Sequence, residues 1–430
     1  MRIAIKNGRV LDPAQRFDAA MDVFIADGRI AGMGATPAGF VADRVLDASG
    51  CIVCPGFVDL SAHLREPGQE HKATIASETR AAAAGGVTTL CCPPSTDPVI
   101  DTPAVVDLIH SRSRAAGFAR VVTLGALTDG LNGTQLSNMA ALKDAGCVAV
   151  SNADRPIANA LIVRRAMEYA ATFGLTVFLH PEDAALRGNG CMHEGAVSTR
   201  LGLPGIPEAA ETVAVARDLA LIEQTGARAH FCRLSSARAA HMVARAQYDG
   251  LPITADVAVH HLHLIEVDVG DFNNQCHVLP PLRTLRDRDG LRAALAKGTI
   301  SVITSDHQPH EADAKLRPFS ETEAGISGLE TLLPLTLRLV EDGVLDMTSA
   351  IERLSWRPAQ ILGIDGGRIA AGDSADICVF DANEYWNVDT KAFLSRGKNT
   401  PFAGWDMKGR VRYTVSGGVV VFERTPTRDK

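Results

Sequence analysis

Hydrophobic and polar positions along this chain of 430 residues fall into two regimes. In the middle, short apolar runs alternate with stretches of helical period. The runs at 57–60, 87–92, 121–125, 147–151, 176–180, 227–231, 253–257 and 300–305 read as buried strands. Between them, 75–84, 103–115, 158–173, 207–225 and 237–248 carry apolar residues at helical spacing. Strands and helices alternating over about 300 residues predict a closed parallel (β/α)8 barrel rather than an open doubly wound sheet. A dinucleotide-binding open sheet would want Gly-x-Gly-x-x-Gly after its first strand, and the sequence has none there.

The two ends of the chain follow a different rule. Short alternating runs are broken by Asn7-Gly8, Asp27-Gly28 and Ser49-Gly50, and 411–415 pairs naturally with 419–422 across Ser416-Gly417-Gly418. Residues 1–52 and 365–430 are therefore expected to form one small β-sandwich domain, with the barrel spanning 53–364.

Composition narrows the function. The chain is 46% hydrophobic and 22% charged, with a net charge of −7, so neither nucleic acid nor an anionic membrane is an expected partner. No apolar run approaches the roughly 18 residues of a membrane helix. The first residues alternate like a strand and lack the apolar core of a signal peptide, which predicts a cytoplasmic location. Nine cysteines, an odd number at irregular spacing, fit a reducing compartment. Cys51 and Cys54 form a lone Cys-x-x-Cys and, like Cys91 and Cys92, read as strand residues.

In a barrel of this kind chemistry sits at the C-terminal strand ends. There the sequence places Ser61 and His63, Ser95 and Thr96, Asn152 and Asp154, His180, Arg233, His260 and His261, then Asp306, His307 and His310. Histidine and aspartate converging from separate strands is the composition of a zinc hydrolase site.

The local sequences carry a resemblance. Pro55-Gly-Phe-Val-Asp-x-x-x-His63-x-Arg65-x-Pro-Gly68, Ala83-Ala-Gly-Gly-Val-Thr88, His180-Pro-Glu-Asp183 and Pro280-Pro-Leu-Arg283 resemble dihydroorotase of the amidohydrolase superfamily. So do Ser305-Asp-His-Gln-Pro-His310, Gly325-Ile-Ser-Gly-Leu-Glu330 and Ser395-Arg-Gly-Lys-Asn-Thr-Pro-Phe402, which extends the match over nearly the whole chain. The resemblance implies reversible ring closure of carbamoyl aspartate to dihydroorotate, on one or two zinc ions at the barrel mouth.

Transferred residue by residue, the family's site is uneven. His63, His180 and Asp306 match zinc ligands, with Asp306 the general base if the protein is active. Ser61, Ala153 and Arg233 stand where three further ligands are expected; a slip of one residue hands the place of Ala153 to Asp154. The related hydantoinases use a carboxylated lysine there, and this chain has no lysine between 144 and 271. Zinc takes about four ligands, at least three of them usually from protein, and arginine is a permanent cation. Arg233 is therefore expected to lie beside Asp306 as a fixed organic cation in place of the metal. On the substrate side Arg65 and His310 match the family, whereas Ser95 and Leu279 replace asparagines. His260 and His261 match a His-His-Leu segment that borders the pocket or serves structure. The polar segment 311–320 is expected to be a mobile loop over the barrel mouth.

Metal and substrate losses point the same way. The resulting expectation is a non-catalytic dihydroorotase-like protein without cofactor, homo-oligomeric and assembled with aspartate carbamoyltransferase. One alternative is an active zinc-dependent dihydroorotase using His63, His180, Asp306 and Asp154. Another is binding or hydrolysis of a different acidic small molecule held by Arg65 and Arg233.

Overall fold

The computed structural model describes residues 1–424 and, among them, places eight parallel strands around one axis. They are β1 (Phe57–Asp59), β2 (Val87–Cys92), β3 (Arg120–Ala126), β4 (Ala149–Ser151), β5 (Thr176–Leu179), β6 (Ala229–Phe231), β7 (Ile253–Ala258) and β8 (Val302–Thr304). Each pairs with its neighbour in chain order. The seam between β8 and β1 is closed by a parallel bridge from Ala62 to His307. Across the same seam the buried Asp59 carboxylate accepts from the hydroxyls of Thr304 and Ser305, and from the Ser305 N–H at 3.0 Å. This is the expected barrel. Its strands 147–151 and 300–305 are shorter than predicted because their first residues finish the helices before them: the Cys147 N–H returns to Leu142 O and the Ile300 N–H to Ala294 O.

Helices follow the strands in order: α1 (Ile75–Ala84), α2 (Pro103–Ala116), α3 (Met139–Asp144), α4 (Ala160–Thr172), α5 (Ala209–Thr225), α6 (Ala237–Tyr248), α7 (Leu285–Ala296) and α8 (Leu332–Glu341). Local chemistry sets their ends. Thr74 and Ser77 form a capping box at the start of α1, and Ser236 accepts from the Ala239 N–H to start α6. Asn159 caps α4, so that helix begins later than the periodicity alone suggests. Between β5 and α5 the chain inserts two short helices, Ala184–Arg187 and Ala196–Leu201, and a two-stranded ribbon, Met192–His193 with Gly205–Ile206.

The lumen is filled by Val58, Leu60, Cys91, Leu124, Phe178 and Val302. Two further sheets draw on both termini. One runs Arg29–Met33, Val23–Ala26, Arg2–Lys6, Arg44–Asp47; the other runs Val419–Glu423, Asp406–Ser416, Ile377–Asn387, Ile52–Pro55, Arg9–Asp12, Phe17–Ala20. Ile3, Ile5, Val10, Val53, Ile377 and Val415 pack between them as the core of a sandwich. Residues 425–430, assigned to this domain from the sequence, lie outside the described residues. Cys54 sits in a strand and all nine cysteines are free.

The segment expected to be a mobile loop is pinned. It holds two 3-10 turns, Ala312–Lys315 and Phe319–Glu321, and buries Ala314, Lys315 and Phe319. Lys315 Nζ donates to His277 O at 3.2 Å, and Asn274 Nδ2 donates to the carbonyls of Lys315 and Arg317, each at 2.8 Å. No helix among the described residues is long and apolar enough to cross a membrane.

Candidate functional site

The segments that leave β1, β6 and β8 bring Ser61, Arg233 and Asp306 into contact. Oδ1 of Asp306 accepts from Arg233 Nη1 at 3.0 Å, from Gln308 Nε2 at 3.2 Å and from Ser61 Oγ at 3.3 Å. The ion pair is out of water, with Arg233 6% and Asp306 1% exposed. Burial works against the Arg233 charge, but Asp306 first and other anions after it raise its pKa above the ordinary value. Burial also pushes the Asp306 carboxyl up, while Arg233 and Gln308 pull it back. Gln308 was not foreseen from the sequence. It lies two residues beyond Asp306 in a loop, where no periodicity says which way it points.

The imidazoles around this pair are held neutral. Burial, then the charges of Arg65 and Arg233, take His63 well below its usual pKa. Burial and Arg233 take His180 to about 3, and His260 likewise. Both ring nitrogens of His260, Nδ1 of His180, Nδ1 of His261 and Oγ of Ser95 are shielded from solvent and have no hydrogen-bond partner.

Zinc is the group the fold implies, and the donors at the matching positions do not fit it. Three donors already engage one oxygen of Asp306, and one of them is a cation. Ala153 offers no donor atom, and Asp154 beside it is exposed. Among the described residues, the one group of three His, Cys, Asp or Glu side chains with ligand atoms within 4.8 Å of one another is His230, Cys232 and Asp256, which includes none of the matching positions. A zinc ion with fewer than three protein ligands lacks the usual cage.

Four residues of this mouth hold left-handed backbone conformations. Arg65, Ala153, Arg233 and Asp306 have positive φ angles of 63°, 51°, 55° and 45°, a conformation that costs non-glycine residues on the order of 1–3 kcal/mol each. Arg233 is fixed there by its own N–H, which donates to Asp256 Oδ1 at 2.6 Å.

Arg65 and His310 do come together. Arg65 Nη2 lies 3.1 Å from His310 Nε2, Nε donates to Pro309 O at 3.1 Å, and Nη1 donates to Gln69 Oε1 at 3.3 Å. Among the described residues Arg65 has no ion-pair partner. Lys72 beside it does, pairing with Glu323 at 2.6 Å. The cleft that Arg65 shares with His63, Gln69, Ser95 and Thr96 measures about 10 Å³, the room of about one water. Behind the mouth, His307 Nε2 meets Glu78 Oε2 at 2.8 Å and its Nδ1 accepts from the Gly328 N–H, so this histidine serves the scaffold.

An eight-stranded barrel with a terminal sandwich and a polar cluster at its strand ends is the architecture of the amidohydrolases. Residues 50–239 match the family model described as dihydro-orotase-like. The chain is 52% identical over 426 residues to a dihydroorotase-like protein of Pseudomonas putida, covering 98% of this chain and 99% of that one. It is 44% identical over 423 residues to a dihydroorotase of Geobacter sp. (strain M21), covering 98% of this chain and all of that one. An L-hydantoinase from Arthrobacter aurescens superposes with a TM-score of 0.86 at 22% identity, covering 100% of this chain and 97% of that one. The chain belongs to the dihydroorotase-like family.

Proposed function

We propose that this chain is a non-catalytic member of its family, kept for assembly with aspartate carbamoyltransferase in pyrimidine synthesis. The observation that supports the reading is the buried ion pair between Arg233 and Asp306. Opening or closing a dihydropyrimidine amide takes a polarised carbonyl and an activated water. Asp306 is the one carboxylate at the position of a base, and an oxygen already engaged by three donors is a weak proton acceptor. The intact barrel, sandwich and strained backbone fit a role for the fold itself.

A second reading has its own support. Arg65 is a largely buried cation with no ion-pair partner among the described residues, which suits binding of an acidic small molecule without turnover once its cleft, with the room of about one water, opens.

The test is a dihydroorotate turnover assay with added zinc, run beside co-purification with aspartate carbamoyltransferase. The expected result is no turnover and a stable complex. Zinc-dependent turnover that is lost in His63→Ala and Asp306→Asn overturns the proposal. The combined variant Ser61→His, Ala153→Asp, Arg233→His is expected to bind more zinc than the native protein.

A further inference from the structure

Directly beneath Arg233 the lumen holds a second constellation, made by residues at none of the matching ligand positions and joined to the site above through the Arg233 N–H on Asp256. His230 on β6 and Asp256 on β7 are 0% and 1% exposed, and Nε2 of His230 stands 2.9 Å from Oδ2 of Asp256. Cys232, just past β6, projects into the same lumen, where it packs with the Val58, Leu60 and Cys91 layer. The imidazole nitrogen, the thiol sulfur and a carboxylate oxygen lie within 4.8 Å of one another.

We propose that His230, Cys232 and Asp256 form a binding site for a single divalent ion of the zinc class, separate from the family positions 61, 63, 153, 180, 233 and 306. Zinc takes nitrogen at about 2.0–2.1 Å, sulfur at about 2.3 Å and carboxylate oxygen at about 2.0–2.2 Å. Donors around it are then on the order of 3.5 Å apart, so the present triangle needs only small shifts to close on an ion.

The supporting shell is in place. Thr254 Oγ1 lies 2.8 Å from His230 Nδ1 and orients the ring, and the Arg233 N–H holds Asp256 through its other oxygen at 2.6 Å. Phe178 packs against the His230 ring with centroids 4.7 Å apart and the planes tilted by 45°. Cys232 is the one member of the three with exposed surface, so it is the point of entry. Water would complete the four-coordinate set.

Charge separates this site from the one above. A zinc ion with one thiolate and one carboxylate is an uncharged unit, which Arg233 tolerates because its own charge is already met by Asp306. On binding, the Cys232 S–H proton leaves to solvent as the Zn–S bond forms. His230 would bind as the neutral Nδ1–H tautomer, its N–H donating to Thr254 Oγ1, so that Nε2 gives its lone pair to the metal. No oxidant or reductant is needed.

The experiment is cobalt(II) titration of the chelator-treated full-length protein, followed by absorption. The sulfur-to-cobalt charge-transfer band reports thiolate ligation, and the other eight cysteines are buried. One equivalent of cobalt with that band is expected. Cys232→Ser should remove the band, and Thr254→Val should weaken binding about 10–100-fold while keeping it. His63→Ala should leave it unchanged. Cobalt uptake without the band, a band that survives Cys232→Ser, or no uptake by protein with native circular dichroism overturns the proposal. The readout involves no turnover, so it is decided independently of whether the protein is an enzyme.

Discussion

Nη1 of Arg233 and Oδ1 of Asp306 stand 3.0 Å apart in the mouth of the barrel, both nearly out of water. A buried pair is expensive to break by half, because the remaining charge has lost its partner but not its desolvation. Arg233→Met is therefore expected to destabilise the fold by about 3–5 kcal/mol. The double variant Arg233→Met, Asp306→Leu should recover most of that loss, since it removes both charges together. Urea unfolding of the two single variants and the double variant measures the coupling. If Arg233→Met alone costs nothing, the pair is not what neutralises Asp306.

Arg65 presents the opposite case, a cation kept in a cleft without an ion-pair partner among the described residues. Burial lowers its pKa, so the fold bears the cost of holding that charge. A small dicarboxylate such as malonate, which needs the cleft to open beyond the room of about one water it has here, is expected to raise the melting temperature of the native protein in proportion to its occupancy. Arg65→Met should abolish that shift, while its ligand-free melting temperature stays equal to or above the native one. Thermal denaturation over a malonate series decides it. An undiminished shift in Arg65→Met places the anion elsewhere.

Much of this was legible in the sequence, for physical reasons that differ by element. The helix at Ile75–Ala84 is bounded by its Thr74 cap and the glycine after it, both local signals, and the one at Ala237–Tyr248 by its Ser236 cap. The Arg233–Asp306 contact followed from the resemblance, which puts both residues at ligand positions of one metal site. What stayed hidden are partnerships across the fold. Glu78 reads as one polar residue on a helix, yet it receives His307 Nε2 at 2.8 Å, Ser77 Oγ at 2.7 Å and the Arg396 N–H at 3.1 Å. Asp256 and Thr254 on β7 likewise looked like ordinary strand residues until the lumen set them around His230.

That Glu78 junction joins α1, the end of β8 and the C-terminal segment, so its loss should be felt globally. Glu78→Ala leaves a buried imidazole and a backbone N–H without acceptors, each costing on the order of 1–3 kcal/mol. Glu78→Gln keeps an acceptor oxygen and should cost less. Chemical denaturation of both variants gives the ranking, and equal losses would mean that packing rather than hydrogen bonding sets the value of the residue.

Glu330 makes stability depend on pH in a window that can be stated. Its carboxylate accepts the Leu394 N–H at 2.9 and 3.0 Å and the Ser395 N–H at 3.1 Å, which ties the segment before α8 to the C-terminal part of the chain. Burial nevertheless dominates and pushes its pKa from 4.5 to about 7, with the backbone donors pulling back. Between those two values the folded state holds a proton that the unfolded state has lost, so stability falls as pH rises through the window. The contribution is fully present below pH 4.5 and gone above about 7. Its size is on the order of 1–3 kcal/mol. Glu330→Gln has the same shape, keeps one acceptor for the backbone donors and cannot ionise. The difference in unfolding free energy between the native protein and Glu330→Gln should therefore decline from pH 4.5 to 7 and level off above, as read by urea denaturation at fixed ionic strength. A difference that is flat across this range, or that grows with pH, would mean that the folded protein carries Glu330 ionised, with its backbone donors outweighing burial.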